Sequence, residues 1–511
     1  MNKTKNIALA ALPLLASWQG QAQRPNIVYL LFDDLGYGDL GCYGQEIIET
    51  PNIDALAANG LRFTDMYTAC PLSAPSRCSI MTGKHSGHSQ IRFNQSIYET
   101  GKPEDFAVFM ADPTKEGQVP MLAGTPTIAT MLKDAGYSTA MVGKWGLGNP
   151  GSESVPNKMG FDYFYGFICQ RWAHQYYPPY LYENERQVPT GNVLIPGGTP
   201  LDEGADPYDI HSYDKYTQTG YTPDLMYDKL EKFIEENADP SGKKPFIAMW
   251  TTTVPHSAVQ APADEVQHYV DKIGDEEPAT DYGWYYPNRY PHATYAAMIT
   301  HIDTQVGRLV QKLRDLGVYE NTLIIVTSDN GPASNGNSPM EFFKSGGPFK
   351  CRKGWGKSSL HEGGIRMPFI AFWDGHIKPG VSDYLGQFVD LMPTFAELAG
   401  VEAPENDGIS FVPTLMGKPS KQKQHEYLYW EFPNSKGWVG VRYGQWKGFI
   451  KGVRSGNNRF ELYDLSADPR EKFDVSGEHP EIVEKMWEFA EASHEAPDGR
   501  YPAFNMDLPA R

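Results

Sequence analysis

The chain has 511 residues, 40% hydrophobic and 21% charged, an ordinary globular composition that excludes a disordered or fibrous protein. Its 45 Lys+Arg against 63 Asp+Glu leave a formal charge of −18. That balance argues against a general nucleic-acid binder, and an anionic substrate must then be drawn in by a local pocket.

Residues 1–22 have the layout of a secretory signal peptide: Lys3 and Lys5, the apolar run Ile7 to Ala16, then Gly20-Gln21-Ala22. The run is too short to span a bilayer, no Cys stands nearby to carry a lipid, and no later stretch approaches the ~20 apolar residues of a membrane helix. A periplasmic or secreted protein without membrane insertion is expected. The rest is too long for one core, so a large domain at 23–419 and a smaller one at 420–511 are predicted.

Short apolar runs repeatedly end in polar residues. Pro25 to Phe32 delivers Asp33-Asp34, and Tyr137 to Val142 precedes Gly143-Lys144-Trp145. Pro245 to Trp250 leads to Thr251 through His256, and Thr322 to Thr327 ends in Ser328-Asp329-Asn330-Gly331. Such continuous runs suit strands covered on both faces. Helices are predicted over Pro51–Asn59, Thr127–Ala135 and Ala293–Leu316, the last with Met298, Ile302, Val306 and Val310 at four-residue steps. The alternation predicts an α/β fold: a central, mostly parallel mixed sheet sandwiched by helices, with its ligand site beyond the carboxyl ends of the strands. Residues 170–220 and 257–292 read as long aromatic loops. Beyond a polar linker at 418–425, short aromatic strands at 426–431, 438–443 and 445–450 and a helix through Met486 predict a small antiparallel sheet with one helix.

Asp33, Asp34, Asp329 and Asn330 together make an all-oxygen set suited to Ca²⁺ or Mg²⁺, whereas a zinc pair asks for His where Asn330 stands. In the segment from Pro71 to Gly83, Ser73, Pro75 and Arg77 satisfy S-x-P-x-R, and Pro75 is placed to start a helix whose N-terminus attracts an anion beside Ser73. The five cysteines (Cys42, Cys70, Cys78, Cys169, Cys351) are odd in number and widely spread, which is no disulfide framework.

With these motifs the mature chain, from Pro25 to the Glu461–Pro469 segment, resembles a formylglycine-dependent sulfatase of the alkaline-phosphatase-like superfamily. In that family the Cys or Ser heading the motif is oxidised to formylglycine (3-oxoalanine). Only Ser73 has Pro two and Arg four positions on. A Ser-type motif resembles substrates of the anaerobic sulfatase-maturating enzyme, which implies a bacterial source. One hydroxyl of the hydrated aldehyde attacks sulfur and the other then expels sulfate; an unmodified Ser would be trapped as its sulfate ester. The resemblance implies calcium held by Asp33, Asp34, Asp329, Asn330 and modified Ser73. It further implies Arg77 stabilising formylglycine, Lys144 clamping sulfate, Lys357 near the leaving oxygen and His256 as the general acid.

One position departs. The family commonly has His where this chain has Gly146, and His85, His88 and His174 are the available replacements for that base. Gly146 together with the Gln170–Pro179 segment resembles a bacterial subgroup acting on sulfated galactose or N-acetylgalactosamine, often at O4. Arg171, His174 and His88 are then the expected sugar contacts, with Trp172, Tyr176 and Tyr177 able to stack on a ring. Two alternatives stand beside a sulfatase of sulfated glycans. One is a phosphate mono- or diesterase using unmodified Ser73; the other is a degenerate glycan-binding homologue, which only Gly146 favours.

Overall fold

The computed structural model describes residues 24–97, 116–280, 283–497 and 506–509. The predicted signal peptide lies outside them. The chain builds an eleven-stranded sheet and a separate four-stranded one. The large sheet comprises β1 (Asn26–Phe32), β2 (Leu61–Tyr67), β3 (Ser138–Lys144), β4 (Tyr163–Phe167), β5 (Tyr180–Glu183), β6 (Arg186–Pro189), β7 (Phe246–Thr251), β8 (Thr322–Ser328), β9 (Arg366–Phe372), β10 (Gly380–Ser382) and β11 (Gly386–Gln387). Their order is β10-β2-β9-β8-β1-β7-β3-β4-β5-β6, with β11 also on β2. The central neighbours β3, β7, β1 and β8 are all parallel, while β9 runs antiparallel to both β8 and β2.

Every residue of β1 is buried, and its side chains divide between two cores. Val28, Leu30 and Phe32 pack with Met226 and Leu230 of α4 (Thr222–Asn237) and Ile302 and Val306 of α6 (Pro291–Asp315). Ile27, Tyr29 and Leu31 pack with Ile80, Ile128 and Phe395 of α2 (Ser73–Thr82), α3 (Ile128–Asp134) and α8 (Leu391–Ala399). An apolar run is thus the signature of a strand with helices on both faces. The remaining helices are α1 (Pro51–Asn59), α5 (Ala263–Ile273), α7 (Glu362–Ile365), α9 (Val412–Leu415) and α10 (Pro480–Ser493).

The second sheet is the antiparallel meander β12 (Leu428–Phe432), β13 (Trp438–Tyr443), β14 (Trp446–Lys451) and β15 (Glu461–Asp464). It packs on Met486, Trp487 and Phe489 of α10. Leu428, Trp430 and Phe432 of β12 turn the other way and join Tyr67, Cys70, Leu72, Leu360 and Ile365 in one apolar cluster.

Two segments read as loops are more ordered than expected. Residues 170–220 contain the β5–β6 hairpin, which turns at Asn184 in the left-handed region (φ 56°). Residues 257–292 contain α5, which presents Val266, Tyr269, Val270 and Ile273 to the core. Helix α2 also begins earlier than expected, at Ser73 itself. Pro75 lies in its first turn, where a missing N–H leaves no bond unmade. All five cysteines are free thiols.

Candidate active site

Four neighbouring parallel strands end on one edge of the sheet, and each delivers part of one buried cluster. Asp33 and Asp34 follow β1, Asp329 and Asn330 follow β8, Lys144 closes β3, and His256 lies on the loop after β7. Two backbone bonds hold the strand ends together: the Asp33 N–H donates to Val254 O and the Asp329 N–H to Phe32 O, both at 3.0 Å. Ser73 enters from above, at the N-terminus of α2. Its hydroxyl donates to Asp33 Oδ1 at 2.8 Å and lies 3.4 Å from Asn330 Oδ1.

Three carboxylates so close need counter-charge, and three cations supply it. Arg77, one turn into α2, donates through Nε and Nη2 to Asp329 Oδ2 at 3.2 and 3.0 Å and through Nη1 to Lys144 O at 2.9 Å. Lys144 Nζ reaches Asp33 Oδ2 at 2.5 Å, and Lys357 Nζ lies 2.7 and 2.8 Å from the two oxygens of Asp34. Asp34 has left-handed backbone (φ 69°); Asn330 Nδ2 donates to its Oδ1 at 2.7 Å, and its own N–H donates to Asp329 Oδ1 at 3.2 Å. Burial pushes the Asp33 carboxyl up, but Lys144, His256, Arg77 and Lys357 outweigh it and hold that group well below the usual range. Burial raises Asp34, opposed by Lys357, and raises Asp329 to about 6, reinforced by Asp33.

His256 Nδ1 bonds to Ser257 O, leaving Nε2 facing Asp34 Oδ2 at 3.5 Å. The His174 ring stacks on it, centroids 4.8 Å apart and 7° from parallel, with Tyr285 tilted against both. Burial lowers both imidazoles well below their ordinary value, helped by Lys357 at His256 and by His256 at His174. His174 Nδ1 is buried with no hydrogen-bond partner among the described residues.

The nine residues expected at the nucleophile, metal and sulfate positions therefore converge. His174 joins them, but His85 and His88 do not. Both lie past the C-terminal end of α2, whose ten residues make it about 15 Å long. There His88 Nδ1 meets Asp407 Oδ1 at 2.9 Å and its ring lies tilted against His85, centroids 4.1 Å apart. Arg171 is half-buried on the segment between β4 and β5, and desolvation lowers its guanidinium to about 10. The aromatic expectations change as well. Trp172 stacks on Tyr180, Tyr177 is buried against Tyr221, and fully buried Tyr176 donates its hydroxyl to Thr253 O and His256 O at 2.6 and 2.9 Å. These three rings are scaffold, and Tyr176 buttresses the His256 loop.

Gly146 has a structural counterpart that sequence reasoning missed. It sits at φ +75°, and a Cβ there would stand 3.2 Å from Gln170 Cβ and 3.4 Å from its Oε1. The Gln170 side chain thus fills the space beside the residue that replaces the family's histidine.

As to a metal, the carboxylates of Asp33, Asp34 and Asp329 with Asn330 Oδ1 form a hard oxygen donor set that fits calcium or magnesium. A His256 nitrogen also comes within 4.8 Å of carboxylate oxygens of Asp33 and Asp34. His256 Nε2 faces Asp34 Oδ2, whereas the Asn330 amide nitrogen donates to Asp34 Oδ1.

Comparison with known proteins agrees with this architecture. The Sulfatase family profile matches residues 25–401, and that of the N-sulphoglucosamine sulphohydrolase C-terminal region matches 352–495. The chain is 31% identical to human arylsulfatase A over 92% of its own length and 88% of that protein's. It is 30% identical to the N-acetylgalactosamine-6-O-sulfatase of Bacteroides thetaiotaomicron, covering 92% and 93%. The crystal structure of Ps i-CgsB in complex with k-i-k-neocarrahexaose superposes with a TM-score of 0.71 at 25% identity, covering 94% of this chain and 97% of that one. A mostly parallel sheet at whose edge three carboxylates and a lysine meet the serine and arginine of α2 and a second lysine, within a sequence matched along nearly its whole length, makes this chain a member of the sulfatase family and a sulfuric ester hydrolase.

Proposed function

We propose that the protein is an exported carbohydrate sulfatase that hydrolyses sulfate monoesters of sulfated glycans, using a formylglycine made from Ser73 and a bound calcium ion. The observation that carries this reading is Ser73 Oγ at 2.8 Å from Asp33 Oδ1, inside a ring of three carboxylates and three cations. Residues 23–419 supply the catalytic domain and 420–511 its companion. Among the described residues no helix is long and apolar enough to cross a membrane. The signal-peptide layout of residues 1–22 supports release to the periplasm or medium, with maturation by an anaerobic sulfatase-maturating enzyme.

Asp33, Asp34, Asp329 and Asn330 would hold the ion, which supplies Lewis acidity toward sulfate oxygens. Arg77 fixes Asp329 and the Lys144 carbonyl, so the nucleophile and the metal-binding carboxylates share one frame. Lys144 and Lys357 offer their ammonium groups to the sulfate oxygens. His256 faces the cluster through Nε2 and passes a proton to the departing sugar oxygen. His174, stacked on His256, stands in for the base that Gly146 lacks, whereas His85 and His88 are held at the far end of α2. Arg171 and His174 face the sugar. Its class is galactose or N-acetylgalactosamine, the second being the sugar in the name of the Bacteroides thetaiotaomicron relative. Preference for O4 rests on the resemblance of the Gln170–Pro179 segment, while the relative from Bacteroides thetaiotaomicron is named for O6.

The test is a peptide mass across Ser73 in the matured protein, where oxidation to formylglycine removes two hydrogens, combined with turnover of sulfate and phosphate esters by the same preparation. An unmodified serine with phosphate turnover would replace this reading by the phosphoesterase one. A panel of 4- and 6-sulfated galactose and N-acetylgalactosamine then decides the ring position.

A further inference from the structure

Among the described residues, a group of buried charges outside the site lies where β14 meets the segment carrying Lys357. Lys447 of β14 is fully buried, and its Nζ reaches Glu362 Oε1 at 2.8 Å and Glu471 Oε1 at 3.1 Å. The other Glu362 oxygen accepts from the Tyr67 hydroxyl at 2.7 Å and Arg366 Nη1 at 3.1 Å. Glu471 Oε2 accepts the Glu362 N–H at 2.9 Å and meets His361 Nδ1 at 3.2 Å. Burial pushes the Glu362 carboxyl up, but Lys447, Arg366 and Arg442 hold it down at about 2. His361 is further pinned by the Trp355 ring stacked on it at 3.5 Å.

The near side of this segment touches both loops of the candidate site. The Ser358 N–H donates to Pro71 O at 2.8 Å, two residues before Ser73, and the Gly331 N–H, next to Asn330, donates to Gly364 O at 3.0 Å. A Cβ on Gly331 would lie 2.0 Å from Gly363 O, so the two backbones are in direct contact. The far side meets the second sheet through Leu360 in the Trp430 cluster and through Lys447. As a source of stability such a triad is weak, because desolvating three charges offsets their attraction. As a source of geometry it is strong, because the Lys447–Glu362 hydrogen bond is directional and short and the Glu471 carboxylate is tied to the Glu362 N–H.

We infer that Lys447 is a positioning residue: acting through Glu362 and Glu471 it sets the loop that carries Lys357, so the four-stranded sheet is a working part of the active site. This rests on the assignment of Lys357 to the sulfate made above. The test is a double-mutant cycle of Lys447→Met and Lys357→Ala, read on kcat for a sulfate ester and on the Kd of inorganic sulfate by calorimetry. Lys447→Met is expected to lower kcat and sulfate affinity about 10- to 100-fold, as loss of a supporting shell does. In the Lys357→Ala background the same change should have less than about a twofold effect. Phe489→Ala, which opens the small core away from Lys447, should lower the unfolding temperature and leave kcat intact. Equal losses in both Lys357 backgrounds, or a kcat loss in Phe489→Ala matching that of Lys447→Met, overturn the inference. If Lys447→Met does not fold, Lys447→Met/Glu471→Gln, which leaves Glu362 with Arg366 and Arg442, carries the cycle. A wild type that binds sulfate but cleaves no sulfate ester defeats the preceding reading alone, and the cycle is then read on affinity.

Discussion

His301 on α6 is clasped between two helices that wall the same face of the sheet. Its Nε2 lies 2.8 Å from Asp224 Oδ1 on α4 and its Nδ1 lies 2.7 Å from Glu265 Oε1 on α5. A carboxylate oxygen at each nitrogen favours the doubly protonated ring. Burial lowers the imidazole, but these bonds outweigh it and raise the group to about 9 from 6.5. At 1.36 kcal/mol per unit, a rise of about 2.5 units corresponds to about 3.4 kcal/mol. Asp224 is 47% exposed, and solvent screening reduces that figure to about 2 kcal/mol. Because the folded state holds the proton more tightly, the contribution is whole below pH 6.5 and drains away as pH rises to 9. Urea unfolding of wild type and His301→Gln at pH 6 and pH 9.5 isolates it. Wild type should lose about 2 kcal/mol more than the variant between the two pH values. With about 2.1 cal/mol/K per residue over roughly 500 residues, this is a Tm difference of about 2 °C. Parallel pH dependences in the two proteins would refute the argument.

Ser73→Ala should abolish turnover, by about 10⁴-fold or more, while removing one hydrogen bond to Asp33 and shifting stability by no more than about 1.5 kcal/mol. Steady-state rates and urea midpoints on the same preparation check both halves, and retained activity sinks the nucleophile assignment. Gly146→His must place a side chain at φ +75° against Gln170, at a cost of about 1–3 kcal/mol in unfolding free energy. Adding Gln170→Ala should recover part of that loss, and a single variant as stable as wild type would dismiss the packing account.

Much of the site was legible in the sequence because its residues stand at the ends of strands. A strand buried on both faces must be apolar along its whole length, so the abrupt change to Asp33-Asp34 or to Asp329-Asn330 marks both the strand end and the functional edge. Helix α5 falls in a segment that reads as a loop, although its period is in the sequence: Val266, Tyr269, Val270 and Ile273 are spaced three and four apart, between Pro262 and Gly274. The β5–β6 hairpin was hidden by strands of only four residues, too short to set an alternation.

Local pattern determines which segments become strands and helices, because burial on one face or two leaves its period in the chain. It also names the chemistry, since the S-x-P-x-R segment and the acidic strand ends carry their residue types with them. Only the tertiary structure decided the neighbours: His174 against His256 with His88 excluded, Gln170 beside Gly146, and Lys447 between Glu362 and Glu471. Those contacts join residues far apart in the chain, and such pairings follow from how whole elements pack, which no local period records.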